Sequence, residues 1–316
     1  MLSGAGAAGA ASTLDPVAGA WSAGSAGSGT SGTENGGTTS SAGSTDGGNS
    51  SGGARSGAGG ANAGGSAPVG GAGGMKAPES IAPGTTWQWQ LTGKVDASLK
   101  VAVYDIDLFD NDAQTVAALH ATGAQVICYV SVGSYEDWRP DAADFPKAVL
   151  GKDYPGWPGE KFLDIRAIET LGPILQKRMD LCKSKGFDGL EPDNMDVFEG
   201  GTKGTGFSLT EADGIAYAQW LTTQAHARGL SIGQKNTSEL APQLATVMDW
   251  ALTEDCFDQD WCADMQPYIS HGKAVLMSEY TDTGVKFADA CTWAKAHQFS
   301  AILKGRALDA PVQFCP

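Results

Sequence analysis

The sequence predicts an α/β protein: a (β/α)8 TIM barrel over residues 83–316, preceded by a disordered Gly/Ser/Ala-rich segment over residues 1–82. Three observations predict it. Composition changes sharply near residue 82, eight short apolar runs then alternate with amphipathic stretches, and no glycine-rich phosphate turn follows the first run.

The stretch 1–74 holds 24 of the 44 glycines, a single aromatic residue, Trp21, and almost no Leu, Ile or Phe. Such a chain buries too little apolar surface to offset its conformational entropy, so it reads as a flexible tether. The stretch 83–316 carries eight of the nine tryptophans. Its length suits one barrel of about 250 residues better than two domains.

The elements follow in order. TWQWQL (86–91) and VAVYDI (101–106) open the set as strands; the turn after the first is Thr92-Gly93-Lys94, which disfavours an open dinucleotide-binding sheet. A helix over 112–122 leads to QVICYVSV (125–132), a nearly continuous apolar run of the kind buried on both faces of a parallel sheet. The helix over 167–185 stops before Gly186, placed as a C′ glycine, and DGLEP (188–192) follows. The helix over 210–228 opens with Thr210-Glu211-Ala212-Asp213, an N-cap with acids in its first turn. LSIGQK (230–235) and WALTED (250–255) come next, then a helix over 259–271, AVLMSEY (274–280), a helix over 284–297 and FSAILK (299–304).

Charge and cysteines bound the setting. Setting aside the four acids and two bases of the stretch 1–82 leaves the domain at a net −13. An acidic surface disfavours nucleic acid and anionic membranes and suits cationic or neutral ligands, although solubility alone also explains it. No apolar run reaches the roughly 20 residues a membrane helix requires. The even set Cys128, Cys182, Cys256, Cys262, Cys291 and Cys315 lies wholly in the domain and suits an oxidising compartment. Cys256–Cys262 and Cys291–Cys315 are the expected bridges, while Cys128 and Cys182 read equally well as buried thiols. MLSGAGAAGA lacks the basic and apolar regions of a signal peptide, yet the tether and cysteines predict a secreted or surface-tethered monomer.

In such a barrel the active site forms at the C-terminal strand ends. Those ends offer Trp87, Trp89 and Gln90; Tyr104, Asp105 and Asp107; Tyr129, Ser131, Tyr135 and Glu136; Glu191, Asp193 and Asn194; Gln234, Lys235 and Asn236; Glu254 and Asp255; Glu279 and Tyr280; and Lys304. Carboxylates, amides and aromatic rings in this density suit sugar hydrolysis: acids for the reaction, amides for hydroxyls, rings for sugar faces. His120, His226, His271 and His297 all fall in or beside helices, which disfavours a His-based metal site or a Ser-His-Asp triad and leaves paired carboxylates as the acid–base machinery. No cofactor or metal is called for.

Asp193 follows Pro192 at the fourth strand end and Glu254 ends the sixth, so both can flank one glycosidic bond. Each has a bland alternative: Asp193 as a helix cap, Glu191 and Asp188 as competitors in the same strand, Trp87 and Trp89 as core. Asp105 and Asp107 share a face, as sugar ligands or as partners of Lys304. Lys235 beside a catalytic carboxylate would lower its pKa, or would form a plain buried ion pair. Tyr135 and Trp138 are the candidates for exposed platforms.

The segments TWQWQLTG (86–93), YDIDLFDND (104–112), VICYVSVGSYEDWRPD (126–141), GEKFLDIR (159–166), GFDGLEPDNMD (186–196), IGQKN (232–236) and ALTEDCF (251–257) resemble, in order, glycoside hydrolase family 114, the endo-α-1,4-polygalactosaminidases. The resemblance implies a (β/α)8 barrel that cleaves galactosaminogalactan-like polymers internally, with Asp193 as nucleophile, Glu254 as general acid/base and a retaining course. It also implies a cationic galactosamine-containing polysaccharide as partner, which the acidic domain matches. A free amine cannot lend the acetamido group of substrate-assisted cleavage, so an enzyme carboxylate is needed. The rival readings are a non-catalytic sugar-binding barrel, a glycosidase of neutral α-galactosides, and a metal-dependent deacetylase, the last disfavoured by the misplaced histidines.

Overall fold

The computed structural model describes residues 80–316. The tether assigned to 1–82 therefore lies, up to residue 79, outside the described residues. Eight strands appear where the apolar runs predicted them: β1 (Trp87–Gln90), β2 (Val103–Asp107), β3 (Gln125–Ser131), β4 (Gly189–Asp193), β5 (Ser231–Lys235), β6 (Trp250–Glu254), β7 (Val275–Tyr280) and β8 (Ser300–Lys304). Each pairs in parallel with its sequence neighbours, and a short β9 (Gln313–Phe314) joins β8 antiparallel. The result is a mixed α/β fold around a curled nine-stranded sheet. Among the described residues no backbone ladder joins β1 to β8. Their contact runs instead from Trp87 Nε1 to the Ser300 carbonyl (2.7 Å) and from Lys304 Nζ to Gln88 Oε1 (3.1 Å).

Four longer helices, α1 (Ala113–His120), α2 (Ile168–Lys185), α3 (Glu211–His226) and α4 (Phe287–His297), match four of the five predicted. The fifth, 259–271, is shorter than expected: a 3-10 turn Cys262–Met265 followed by Gln266–Ser270. Pro267 lies at the N-terminal end of that last helix, where its missing N–H costs nothing. The local signals held. Gly186 caps α2 with φ 96°, and Thr210 and Asp213 form a reciprocal capping box on α3.

Strand side chains alternate between two apolar layers. Outward residues such as Tyr104, Ile106, Val126, Cys128, Leu190 and Ile232 join the layer shared with the helices. Inward residues Trp87, Val103, Ile127, Trp250, Leu252, Leu276 and Ile302, with Ile81, fill the concave side. Gly233 is required there: a Cβ would stand 2.4 Å from the Trp250 ring. Higher along the same inward rows the residues turn polar, at Asp105, Tyr129, Glu191, Asp193, Lys235 and Glu254. The apolar plug is thus the floor on which a charged layer stands.

Three disulfides brace the fold, Cys128–Cys182, Cys256–Cys262 and Cys291–Cys315. The buried-thiol reading of Cys128 and Cys182 is corrected: outward-facing Cys128 on β3 meets Cys182 on the inner side of α2, 54 residues away. One element the alternation did not announce is a small antiparallel sheet between β3 and α2. It is formed by Ser134–Glu136, Glu160–Leu163 and Leu150–Asp153, with the second strand central.

Candidate active site

Lys235, at the end of β5 and almost fully buried, is the hub of the charged layer. Its ammonium lies 2.7 Å from Asp193 Oδ1, 3.0 Å from Glu191 Oε1 and 3.2 Å from Glu254 Oε2. It also stands 4.7 Å from the centre of the Trp89 ring, over a π face that favours a cation. Burial opposes its charge, but the three carboxylates outweigh that and push its pKa well above the ordinary lysine value.

Asp193 and Glu254 are the two carboxylates of this layer that keep solvent access, with side chains 19% and 28% exposed. Burial alone would raise the pKa of Asp193. Lys235, the Tyr129 hydroxyl at 2.8 Å and the Asn194 amide reverse this and hold it below the usual aspartate value. Tyr129 itself stays protonated, because burial and then the Asp193 charge push its pKa far up. Glu254 is fixed at both oxygens: Tyr280 donates its hydroxyl to Oε1, and Asn236 Nδ2 donates to Oε2 at 3.1 Å. Asn236 Oδ1 in turn accepts the Glu254 backbone N–H at 2.9 Å.

Beneath them Glu191 is buried, accepting from Trp89 Nε1 at 3.0 Å and from Lys235. Asp105 is 0% exposed, and neither of its oxygens meets a donor. Burial, and next the charge of Glu191, push its pKa well above the ordinary aspartate value. The neighbouring charge of Glu191 thus favours the protonated form of Asp105, the form in which an aspartate can donate a hydrogen bond.

The local backbone repeats at the three key strand ends. Asn194 (φ 63°), Asn236 (φ 49°) and Asp255 (φ 52°) are left-handed and directly follow Asp193, Lys235 and Glu254. The chain leaves each strand one residue after the charged side chain. Asn and Asp tolerate that conformation better than other non-glycine residues. Asn194 is further pinned through its Nδ2 to Ser131 Oγ (2.9 Å) and Ser134 Oγ (3.1 Å). Gly133 is needed beside it, since a Cβ there would lie 1.7 Å from the Asn194 carbonyl.

The structure thus gathers Asp193, Glu254, Glu191, Lys235, Tyr129, Asn236, Tyr280, Asp105, Trp89, Asn194 and Ser131 around one point. Four predicted substrate ligands are otherwise engaged. Arg139 grips Asp107 with two nitrogens at 3.0 and 2.8 Å and Glu136 with a third at 2.8 Å. Tyr135 packs edge-on against Phe145. Lys304 is spent on the Asp309 and Pro311 carbonyls and Gln88, away from Asp105 and Asp107. Trp89, although central, is core and supports the layer from below. Sequence reasoning missed three neighbours. Asp196 is pushed up to about 6 by burial and by Asp193, and it lies three residues on in the EPDNMD segment. Glu160 is pushed up to about 7 by burial, with the Ser134 hydroxyl opposing. Tyr154 is pushed well above the ordinary tyrosine value by burial, then by the charges of Asp196 and Asp193. Glu160 opens the central strand of the small sheet and Tyr154 directly follows another of its strands, where no periodic signal marked them.

One carboxylate held ionised, a second fixed by a hydroxyl and an amide, and a buried ammonium between them can perform nucleophilic and acid–base chemistry on a ligand arriving from solvent. The Aspergillus fumigatus Ega3 complex with galactosamine is similar in structure: 37% identical, TM-score 0.71, covering 76% of this chain and 98% of that one. The glycoside hydrolase domain of PelA from Pseudomonas aeruginosa shares the fold at 16% identity and TM-score 0.57, covering 73% of this chain and 98% of that one. No curated protein matches the chain. The family described as glycoside-hydrolase family GH114 matches residues 72–316, and the chain belongs to that family.

Proposed function

We propose that the protein is an endo-α-1,4-polygalactosaminidase that cleaves galactosamine-rich polysaccharide with retention of configuration. Asp193 is the nucleophile and Glu254 the general acid/base. One observation carries the stereochemical part. Asp193 Oδ1 and Glu254 Oε2 touch the same ammonium at 2.7 and 3.2 Å, and two oxygens on one nitrogen cannot be further apart than those contacts laid end to end. That closeness favours the roughly 5–5.5 Å of a retaining pair over the wider, roughly 6.5–9.5 Å spacing of an inverting one.

In this reading Asp193 attacks the anomeric carbon while Glu254 gives its proton to the departing glycosidic oxygen. Glu254 then takes a proton from water, whose oxygen displaces Asp193 and restores both groups. Lys235 and Tyr129 keep Asp193 ionised for the first step, and Tyr280 and Asn236 aim Glu254. The substrate class is supported by the 37% identity to the Ega3 protein, whose structure holds galactosamine, and by the acidic domain facing a cationic polymer. We infer further that the eight parallel strands act as a closed (β/α)8 barrel. We also infer a monomer whose residues 1–82 form a flexible tether, and export of the chain, supported by the three disulfides. No described helix is long and apolar enough to cross a membrane.

The test is reducing-end release from partly deacetylated α-1,4-polygalactosamine, with the anomer of the first product read by NMR. Wild type should release short oligomers as α-anomers. Glu254→Gln should lose roughly 10²–10⁴-fold, the usual worth of a general acid/base, and Asp193→Asn at least as much. A β-anomer first product would overturn retention, and binding without release by wild type would favour a sugar-binding barrel.

A further inference from the structure

We propose that Trp138 and Trp157, at the tip of the small antiparallel sheet, form a second sugar-binding platform that takes amino-sugar units of the polymer beyond the cleft. This rests on the functional reading above. Among the described residues these are the large apolar side chains most open to solvent, 51% and 56% exposed. Single exposed apolar groups are ordinary, but two tryptophans at one tip are a costly surface without a ligand.

Both follow from the end of the sheet where Glu136 pairs with Glu160. Ser134, Tyr135 and Glu136 pair with Phe162, Lys161 and Glu160, and the Asp137 N–H continues the ladder to the Gly159 carbonyl at 3.1 Å. Trp138 follows in a turn that the Arg139 N–H closes onto the Glu136 carbonyl at 3.3 Å, and Trp157 lies in the turn that leads into Glu160. The turn is rigid. Trp157 donates its backbone N–H to Tyr154, Glu160 donates to Trp157, and Gly159 (φ 94°) packs so closely that a Cβ would stand 2.6 Å from Asp137 Oδ1.

The tip is also tied to the catalytic layer. Ser134 Oγ donates to Glu160 Oε2 at 2.7 Å and receives Asn194 Nδ2, the residue after Asp193. On the other side Arg139, next to Trp138, is clamped by Asp107 and Glu136. Tyr154, at the base of the turn and stacked on Phe162, feels the charges of Asp193 and Asp196. A chain bound over Asp193 and Glu254 therefore has a firm wall to one side, with tryptophan at its end.

The chemistry of the occupant follows from the rings. Indole stacks on the C–H face of a pyranose and attracts a cation to its π face, so a polymer of protonated amino sugars satisfies both preferences. An exposed cation–π contact corresponds to roughly a two- to five-fold effect, so losing both should amount to about five- to thirty-fold.

The experiment uses the full chain with Trp138→Ala, Trp157→Ala, the double variant, and Trp→Phe at both positions. The readouts are the kcat/KM ratio for long α-1,4-polygalactosamine over a galactosamine trimer, and the Kd for the polymer in an Asp193→Asn background. The ratio should fall, and Kd rise, by about five- to thirty-fold in the double variant, with the Phe pair restoring part. Melting temperatures confirm folding. If wild type cleaves polymer but the double variant keeps ratio and Kd within twofold, the platform is wrong and the active-site reading survives. If wild type neither binds nor cleaves polymer, both fall.

Discussion

Replacing Lys235 by Met removes one buried charge and keeps much of the volume, so its consequences can be worked out from the contacts. Asp193 loses an ammonium at 2.7 Å, while burial, the largest influence on its pKa and the one that raises it, remains. An opposite charge at such range shifts a carboxylate by roughly 1–3 pH units. Coulomb's law at an effective dielectric of about 20 gives a larger upper bound of roughly 6 kcal/mol. In wild type the depressed pKa keeps Asp193 ionised across the working range. In the variant burial prevails and the pKa rises, so an acid limb absent from wild type enters the kcat/KM profile. The variant should fall progressively further below wild type as the pH is lowered from 8 to 5. Three carboxylates left without their cation should also cost about 3–5 kcal/mol of stability, read from denaturant midpoints. The assay is reducing-end release from pH 4 to 9. Carbon-13 NMR of labelled aspartate carboxyls follows Asp193 even where turnover is lost. A variant whose Asp193 still titrates below the ordinary value would refute the role given to Lys235.

Other expectations follow from the same buried charges. If Asp105 works as the neutral donor toward Glu191, Asp105→Asn supplies an amide in its place and should keep kcat/KM within about tenfold and an unchanged melting temperature, since an amide N–H replaces one hydrogen bond of ordinary strength. A loss beyond about 100-fold would mean that the ionised form is the working one. Glu279, buried and accepting the Phe257 and Asp258 N–H groups, has its pKa pushed up to about 7 by burial. Its raised folded pKa means that its contribution is complete below the unfolded value of 4.5 and is lost as pH rises through 7. That amounts to at most about 3 kcal/mol. Glu160, Asp196 and Glu199 act in the same direction, so Glu279→Gln should remove a part, not the whole, of the fall in urea midpoint between pH 4.5 and 8; an unaltered slope would exclude Glu279 as a source.

The strands were legible because each is buried on both faces and so appears as a short apolar run ending in a polar residue. The helices were legible because Gly186 and Thr210 with Asp213 mark their ends by local chemistry alone. The charged layer around Asp193, Lys235 and Glu254 followed from reading the polar residues at the strand ends, where a parallel barrel gathers its site. What did not follow was competition for partners. Asp107 and Glu136 look as available as Asp193 until Arg139, 32 residues beyond Asp107, closes on both. Lys304 likewise resembles Lys235 until the carbonyls of Asp309 and Pro311 reach it. Cys128 and Cys182 each sit in an ordinary apolar pattern, and only the docking of α2 on β3 reveals the bond. Such pairings depend on how loops return, which no short-range pattern records. The small sheet was invisible for a related reason: its strands are three or four residues long, and they alternate too briefly to declare a period.

That sheet gives the molecule a wall distinct in sequence from the strands that carry the charged layer. On the proposed reading the reaction belongs to strands that stand on the apolar floor, whereas residues 134–163 form a wall beside them, joined to the centre through Ser134 with Asn194, Arg139 with Asp107, and Phe162 and Leu163 in the shared core. Selection, or an engineer, can therefore exchange the wall to suit a differently decorated polymer while the two carboxylates and their ammonium stay in register. The corresponding vulnerability is Asn194: a change there breaks the joint between reaction and recognition even though it removes no charge.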